Sequence, residues 1–314
     1  MPHVSCNNSK VFRILKKYHA KYYVVSIGDV PSHLVKEGET KKEFFKKLIK
    51  RFNMQWLRYT MIRVMIRTLT KRGFYPLPVK VFGTASENVK NYIRKYEEDR
   101  IPLIPINSSD YTTYLGYVRQ NKERVLENNC VFIEEAEIHS WDLELLKRKK
   151  IDSQRYLDAM NHLFDRIEAE TGLTVVVAAH PKSCYEEHPD AFGGRKIIKG
   201  KTVELVAHSR LVVLHYSTAV SYAVLFNKPV LIVKTNDMIK AKRDVYTDSL
   251  ANELGVVPVN IEDPRQMQEL AQSIKNSSNT DFAQYKYKYL VNPGLEDLTT
   301  WDILARELKG EAVG

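Results

Sequence analysis

The chain is 314 residues long, enough for two domains that each bury their own core. Apolar residues make up 44% and charged residues 27%, proportions that exclude a disordered or collagen-like chain, and no apolar run is long enough to span a bilayer. The net charge of +10 points to polyanionic company, whether nucleic acid, anionic lipid or phosphorylated substrate.

Met1 to Lys10 lacks the apolar centre of a secretory signal, and cytoplasm is the expected location. Cys6, Cys130 and Cys184 are too few and too scattered for a disulfide framework or a zinc site. Lys21 to Ile27 reads as a strand entering a turn at Gly28-Asp29-Val30-Pro31. From Lys41 to Arg72, eleven Lys or Arg accompany a single acid, Glu43. Phe44, Phe45, Leu48, Ile49, Phe52, Trp56, Leu57, Met61, Ile62, Met65, Ile66 and Leu69 recur there at helical spacing. Two readings fit this stretch: a basic amphipathic helix pair on a membrane surface, or core helices with a solvated basic face. Nucleic acid is not expected, because no binding module accompanies the charge.

Pro78 to Phe82 reads as a short strand, and Ser86 to Glu98 as a helix capped by Ser86. Ile101 to Ile106 is a strand whose two prolines suit an edge or a strand start. Asp110 to Tyr117 is rich in tyrosine and opens a polar helix reaching Asn128. A new unit starts at Asn129. Cys130 to Ile133 has the composition of a buried strand, and a helix from Ser153 to Glu170 stops at Thr171-Gly172. A second buried strand, Val175 to Ala179, ends in His180-Pro181, and Arg195 to Lys199 reads as a short strand. Thr202 to His208 is a helix, and Leu211 to Leu214 a strand ending in His215-Tyr216-Ser217-Thr218. A helix-like run, Ala219 to Phe226, leads to the strand Val230 to Val233. Val256 to Asn260 is the last strand and Leu298 to Leu308 a closing amphipathic helix. This alternation predicts an α/β chain with parallel sheets. The expected division is 1–128, 129–291, and a terminal helix in 292–314 that packs back on the first domain.

Parallel sheets bind ligands beyond the carboxyl ends of their strands, where His180, Glu134, Glu135 and Ser217 all fall. An imidazole titrating near neutrality suits a phosphate partner or a proton donor, and a satisfied structural histidine is the competing reading. Ser217-Thr218 at a helix entry offers hydroxyls and free amides to an anion, or is simply a cap. Glu134 and Glu135 stand at a strand end, and strand residues alternate faces, so at most one of them points into a cleft, where it suits a general base; a solvated loop carboxylate is the competing reading. Lys199 and Lys201 add positive charge nearby. Glu137, His139 and Asp142 are weaker candidates, and His139-x-x-Asp142 lacks a third metal ligand. Gly194 to Thr202 nearly spells a phosphate-binding P-loop but has five residues between its glycines instead of four, and Arg195 to Ile198 looks extended.

His180-Pro181, then Ser217-Thr218 ahead of Ala219 to Phe226 and Asn227-Lys228-Pro229-Val230, resembles the HP and serine motifs of bacterial GT-B glycosyltransferases. These include sialyl- and polysialyltransferases, with related patterns in Kdo transferases and in glycerophosphotransferases of teichoic acid synthesis. Glu134-Glu135-Ala136 is similar to their acid-acid-glycine motif, with Ala in place of Gly, and the serine motif is Ser-Thr in place of Ser-Ser. The resemblance covers about Asn129 to Thr235. It implies two Rossmann-like domains facing a central cleft, no bound metal or other cofactor, and a nucleotide-sugar donor. In that role Glu135 is the base with Glu134 in reserve. His180 and Pro181 meet the donor phosphate, and Ser217, Thr218 and Lys199 hold it. The expected activity is sugar transfer in the synthesis of capsule, lipopolysaccharide or lipooligosaccharide. The first-choice donor is CMP-linked sialic or other nonulosonic acid or Kdo, and the acceptor is a glycan or lipid-linked glycan. Residues 41–72 would then hold the enzyme at the inner face of the cytoplasmic membrane. Other readings are a CDP-alditol phosphotransferase or UDP-sugar transferase on the same scaffold, and a non-catalytic membrane-surface or nucleic-acid binding protein.

Overall fold

The computed structural model describes residues 9–27, 61, 65, 68, 69, 72–74, 76–84, 101–121, 127–138 and 151–310. The expected turn at 28–31, the helix at 86–98, most of the basic stretch 41–72, and His139 and Asp142 lie outside the described residues. The chain divides into two compact units, Met1–Ser108 with Val291–Gly314, and Ser109–Leu290. That division and the boundary expected at 128 differ by one helix, Ser109–Gln120.

The first unit opens with α1 (Ser9–Lys17) and holds a parallel sheet of β1 (Val24–Ser26), β2 (Val81–Gly83) and β3 (Leu103–Pro105), in that order. β3, the proline-bearing strand, lies at an edge, where a missing amide costs no ladder bond. Successive strand residues face opposite sides. Val24, Val81 and Ile101 build one small core, while Phe82 and Ile106 build another with Leu295 and Ile303 from the chain's end. Asn107 ties that end down. Its Nδ2 donates to the carbonyls of Leu295 (2.7 Å) and Leu298 (2.8 Å), and its Oδ1 accepts from the Asn292 amide.

The second unit starts with α2 (Ser109–Gln120). Its sheet contains β4 (Asn129–Ile133), β5 (Thr174–Ala179), β6 (Ile197–Lys199), β7 (Leu211–Leu214), β8 (Val230–Lys234) and β9 (Val259–Asn260). All neighbouring pairs are parallel, in the order β6-β5-β4-β7-β8-β9. The chain thus builds outward from β4 to one side, then returns and builds outward on the other. This is the doubly wound Rossmann order, and it reverses between β4 and β7.

The strands β4, β5 and β7 are apolar on both faces because helices cover both. On one face lies α3 (Ser153–Thr171), started by an Asp152 side chain that accepts the Arg155 amide and ended by left-handed Gly172. Its buried stripe of Tyr156, Met160, Leu163, Phe164 and Ile167 has the helical period and packs on Phe132, Val175 and Val177. Phe132, Phe164 and Phe192 meet there with ring centres 5.3 to 6.0 Å apart. α2 packs with α4 (Thr202–His208) and α5 (Val220–Leu225), and Tyr114 and Tyr117 lie against Phe226 at the end of α5. α6 (Asn236–Lys240) and α7 (Asp244–Leu254) follow β8.

Candidate active site at the carboxyl edge of the second sheet

Register places the site. Ile133 of β4 stands level with Ala178 of β5 and Leu214 of β7. One step beyond, Glu134 and Glu135 emerge between His180 on one side and the His215–Thr218 turn on the other. Neighbouring strands are about 4.8 Å apart, so the three strand ends form one short edge. The two acids are used differently.

Glu134 is buried and serves the β5 side. Its Oε2 accepts the His180 amide at 3.1 Å, and its Oε1 accepts the Tyr185 hydroxyl at 3.2 Å. Burial pushes its carboxyl up to about 7, against the opposing effect of hydrogen bonds from the His180 and Ala136 amides and the Tyr185 and Ser183 hydroxyls. Glu135 serves the β7 side. Its Oε1 accepts the amides of His215 (3.0 Å) and Tyr216 (3.3 Å), with the Ser217 amide as a further donor. Its Oε2 is buried and has no hydrogen-bond partner among the described residues. Burial raises its pKa well above the usual carboxylate range, and the nearby Glu134 charge adds to the effect.

His180 is half-buried at the end of β5. Its Nδ1 accepts the Lys182 amide at 3.1 Å, and its carbonyl accepts the Ser183 amide and hydroxyl. An amide can only donate, so Nδ1 is unprotonated and the ring's proton sits on Nε2. Pro181 is exposed. Lys199, at the end of β6, donates to the Ser183 carbonyl (2.6 Å) and pairs with Glu186 (2.5 Å), which commits it to bracing the loop after His180. Lys201 is exposed and lies 3.7 Å from Glu204. Ser217 is half-buried, and its Oγ accepts the Ala219 amide at 3.3 Å, a turn bond just ahead of α5, whose N-cap is Ala219 and has no side-chain cap bond. Thr218 is exposed beside it.

The P-loop look-alike is an extended strand followed by a helix. Arg195 donates to Glu168 and Asp165 and lies over the Phe164 ring, so it clamps α3.

Three features of the edge go beyond the sequence reading, which named Glu137 only as a weaker candidate. His215 is fully buried and structural: Nδ1–H donates to the Val233 carbonyl (2.7 Å) and Nε2 accepts the Tyr156 hydroxyl (2.8 Å). Burial lowers its pKa to about 4. Glu137 is a buried acid that accepts the Tyr216 hydroxyl and pairs with Arg243, itself 7% exposed at its side chain. Two non-glycine residues with left-handed backbone, Ala136 (φ 57°) and Lys242 (φ 59°), each precede one member of that ion pair. Ala136 stands where the resembled motif has glycine, and its positive φ gives the physical reason for a glycine there. Among the described residues no cluster of His, Cys, Asp and Glu has the makings of a metal site.

Fold and edge together define a Rossmann-ordered α/β protein with a polar constellation at its topological switch point. No known protein family matches the sequence, and no curated protein matches it either. Solved structures similar in chain path include the UDP-GlcNAc 2-epimerase of Methanocaldococcus jannaschii in complex with UDP-GlcNAc and UDP (13% identity, TM-score 0.47, covering 96% of this chain and 79% of that one). They also include the wall teichoic acid polymerase TagF, H444N variant (12%, 0.46, 93% and 69%), and Arabidopsis thaliana UGT89C1 (10%, 0.45, 96% and 69%). At this distance the fold rests on the strand order above, and these likenesses assign no substrate.

Proposed function

We propose that the protein is a GT-B glycosyltransferase that moves a sugar from a nucleotide donor to a glycan hydroxyl in the synthesis of a bacterial surface polysaccharide. The single observation behind this is the gathering of His180, Glu134, Glu135 and Ser217 at three adjacent strand ends, where the strand order reverses. Open α/β sheets bind nucleotides at that point.

In this reading the His180 Nε2–H donates a hydrogen bond to the donor phosphate and stabilises the charge that develops as it leaves. The Ser217 and Thr218 hydroxyls flank the phosphate, with Pro181 beside it. Lys199 acts through the loop that it braces. The base role passes from Glu135 to Glu134. A base must be ionised, and a carboxyl at about 7 is balanced for proton transfer near neutral pH. Burial raises the Glu135 pKa well above the usual carboxylate range, and its Oε1 holds the β7–α5 turn by accepting the His215 and Tyr216 amides. The resemblance favours CMP-linked sialic or other nonulosonic acid or Kdo as donor. Peripheral membrane contact through residues 41–72 belongs to the same proposal and is supported by their composition.

Release of free nucleotide in the presence of acceptor glycans tests the reading. The wild-type rate should rise with pH to a plateau above about 7. His180→Ala and Glu134→Gln should each lower it about 100-fold or more. Full activity in both variants would refute the assignment.

A further inference from the structure

The Glu137–Arg243 pair is buried close to the proposed phosphate contacts, and a buried ion pair is a costly way to gain stability. Its position explains its use. Glu137 receives the hydroxyl of Tyr216, the residue immediately before Ser217. Tyr216 in turn stacks on Tyr246 in the first turn of α7, with ring centres 5.5 Å apart and planes 30° from parallel. Tyr216 is half-buried, and Tyr246 is 41% exposed. The arrangement is therefore layered. A buried ion pair fixes one phenol by its hydroxyl, that ring supports a second, and the second ring meets solvent at the carboxyl edge of the sheet.

We propose that the Tyr216–Tyr246 stack is the platform on which the nucleobase of the donor lies, with Glu137 and Arg243 as positioning residues that set the tilt of Tyr216. The proposal rests on the nucleotide-binding reading of the same edge and adds to it the contact that recognises the base. Chain order supports the placement. Tyr216 and Ser217 are consecutive, so a ligand with its phosphate at Ser217 carries its base one ribose away, within reach of the neighbouring rings. A planar heteroaromatic ring gains from stacking on a tyrosine whichever base it is. The platform thus supplies affinity, and other contacts select the base.

The test is calorimetric titration of the full-length protein with CMP and UMP, using wild type, Tyr246→Ala and Tyr246→Phe. Tyr246 is exposed enough for both variants to fold, which unchanged melting curves establish. Tyr246→Ala should weaken both nucleotides about tenfold, and Tyr246→Phe should restore them. Saturation-transfer NMR on bound CMP separates stacking from a general structural effect. The cytosine H5 and H6 signals should dominate in wild type and fall relative to the ribose signals in Tyr246→Ala. Unchanged affinity in Tyr246→Ala, or a loss in which base and ribose signals fall together, overturns the platform while leaving the nucleotide site standing. Failure of wild type to bind any nucleotide overturns both.

Discussion

At the scale of single residues, two adjacent glutamates differ because their neighbours differ. Glu134 takes its ordinary carboxylate value when the chain unfolds and rises to about 7 when it folds. The folded state therefore binds the proton more tightly. The resulting stabilisation is full below about pH 4.5, declines as pH rises, and is gone above about 7. At roughly 1.4 kcal/mol per pH unit, the change is of the order of 3 kcal/mol. His215 works in the opposite sense. Its pKa falls from 6.5 to about 4 on folding, so its contribution is full above 6.5 and is lost as pH falls through 4. Between about pH 4.5 and 6.5 the two trends oppose each other, so Glu134→Gln should unmask the His215 trend and make stability rise more steeply with pH over that range, as read by denaturant midpoints. An unchanged slope would show that Glu134 is not the group responsible. Ala136 supports a simpler expectation. With φ at 57°, glycine should fit better than alanine, and Ala136→Gly should raise stability by about 0.5–1 kcal/mol in chemical denaturation. A loss of stability would mean that the methyl group of this buried alanine packs well enough to outweigh the strain.

At the scale of elements, the buried strands and the helices that cover them were legible in the sequence. The expected strands at 130–133 and 211–214 and the helices at 153–170 and 202–208 agree with the observed ones to within a residue, because apolar runs bounded by caps and turn residues are strong local signals. α6 and α7, with short or weakly periodic sequences, went unread. Residues that act through distant partners were also hidden. Glu137 and Arg243 lie 106 positions apart, and no local pattern joins them. Likewise, nothing in Glu134-Glu135 reveals which acid serves β5 and which serves β7. The terminal segment shows such a long-range tie within the first unit. Fully buried Asn107 satisfies the carbonyls of Leu295 and Leu298 and the Asn292 amide. Asn107→Ala leaves these groups short of partners at about 1–3 kcal/mol each, so a loss of at least 2 kcal/mol is expected. Limited proteolysis should then cut residues 291–310 faster than in wild type. Equal cutting rates would mean that the apolar contacts of Leu295 and Ile303 suffice to hold the segment.

At the scale of the whole molecule, the account depends on a nucleotide binding where the second sheet reverses its strand order. No described helix is long and apolar enough to cross a membrane, and the net charge of +10 suits an anionic ligand or surface without naming one. A thermal-shift panel of CMP, CDP, UDP and GDP on wild type and His180→Ala is the most direct measurement, since a ligand that binds only the native state raises its melting temperature as its concentration rises. The account predicts a concentration-dependent rise with CMP in wild type that disappears in His180→Ala. A panel in which no nucleotide shifts wild type, or in which His180→Ala shifts as much as wild type, would contradict it.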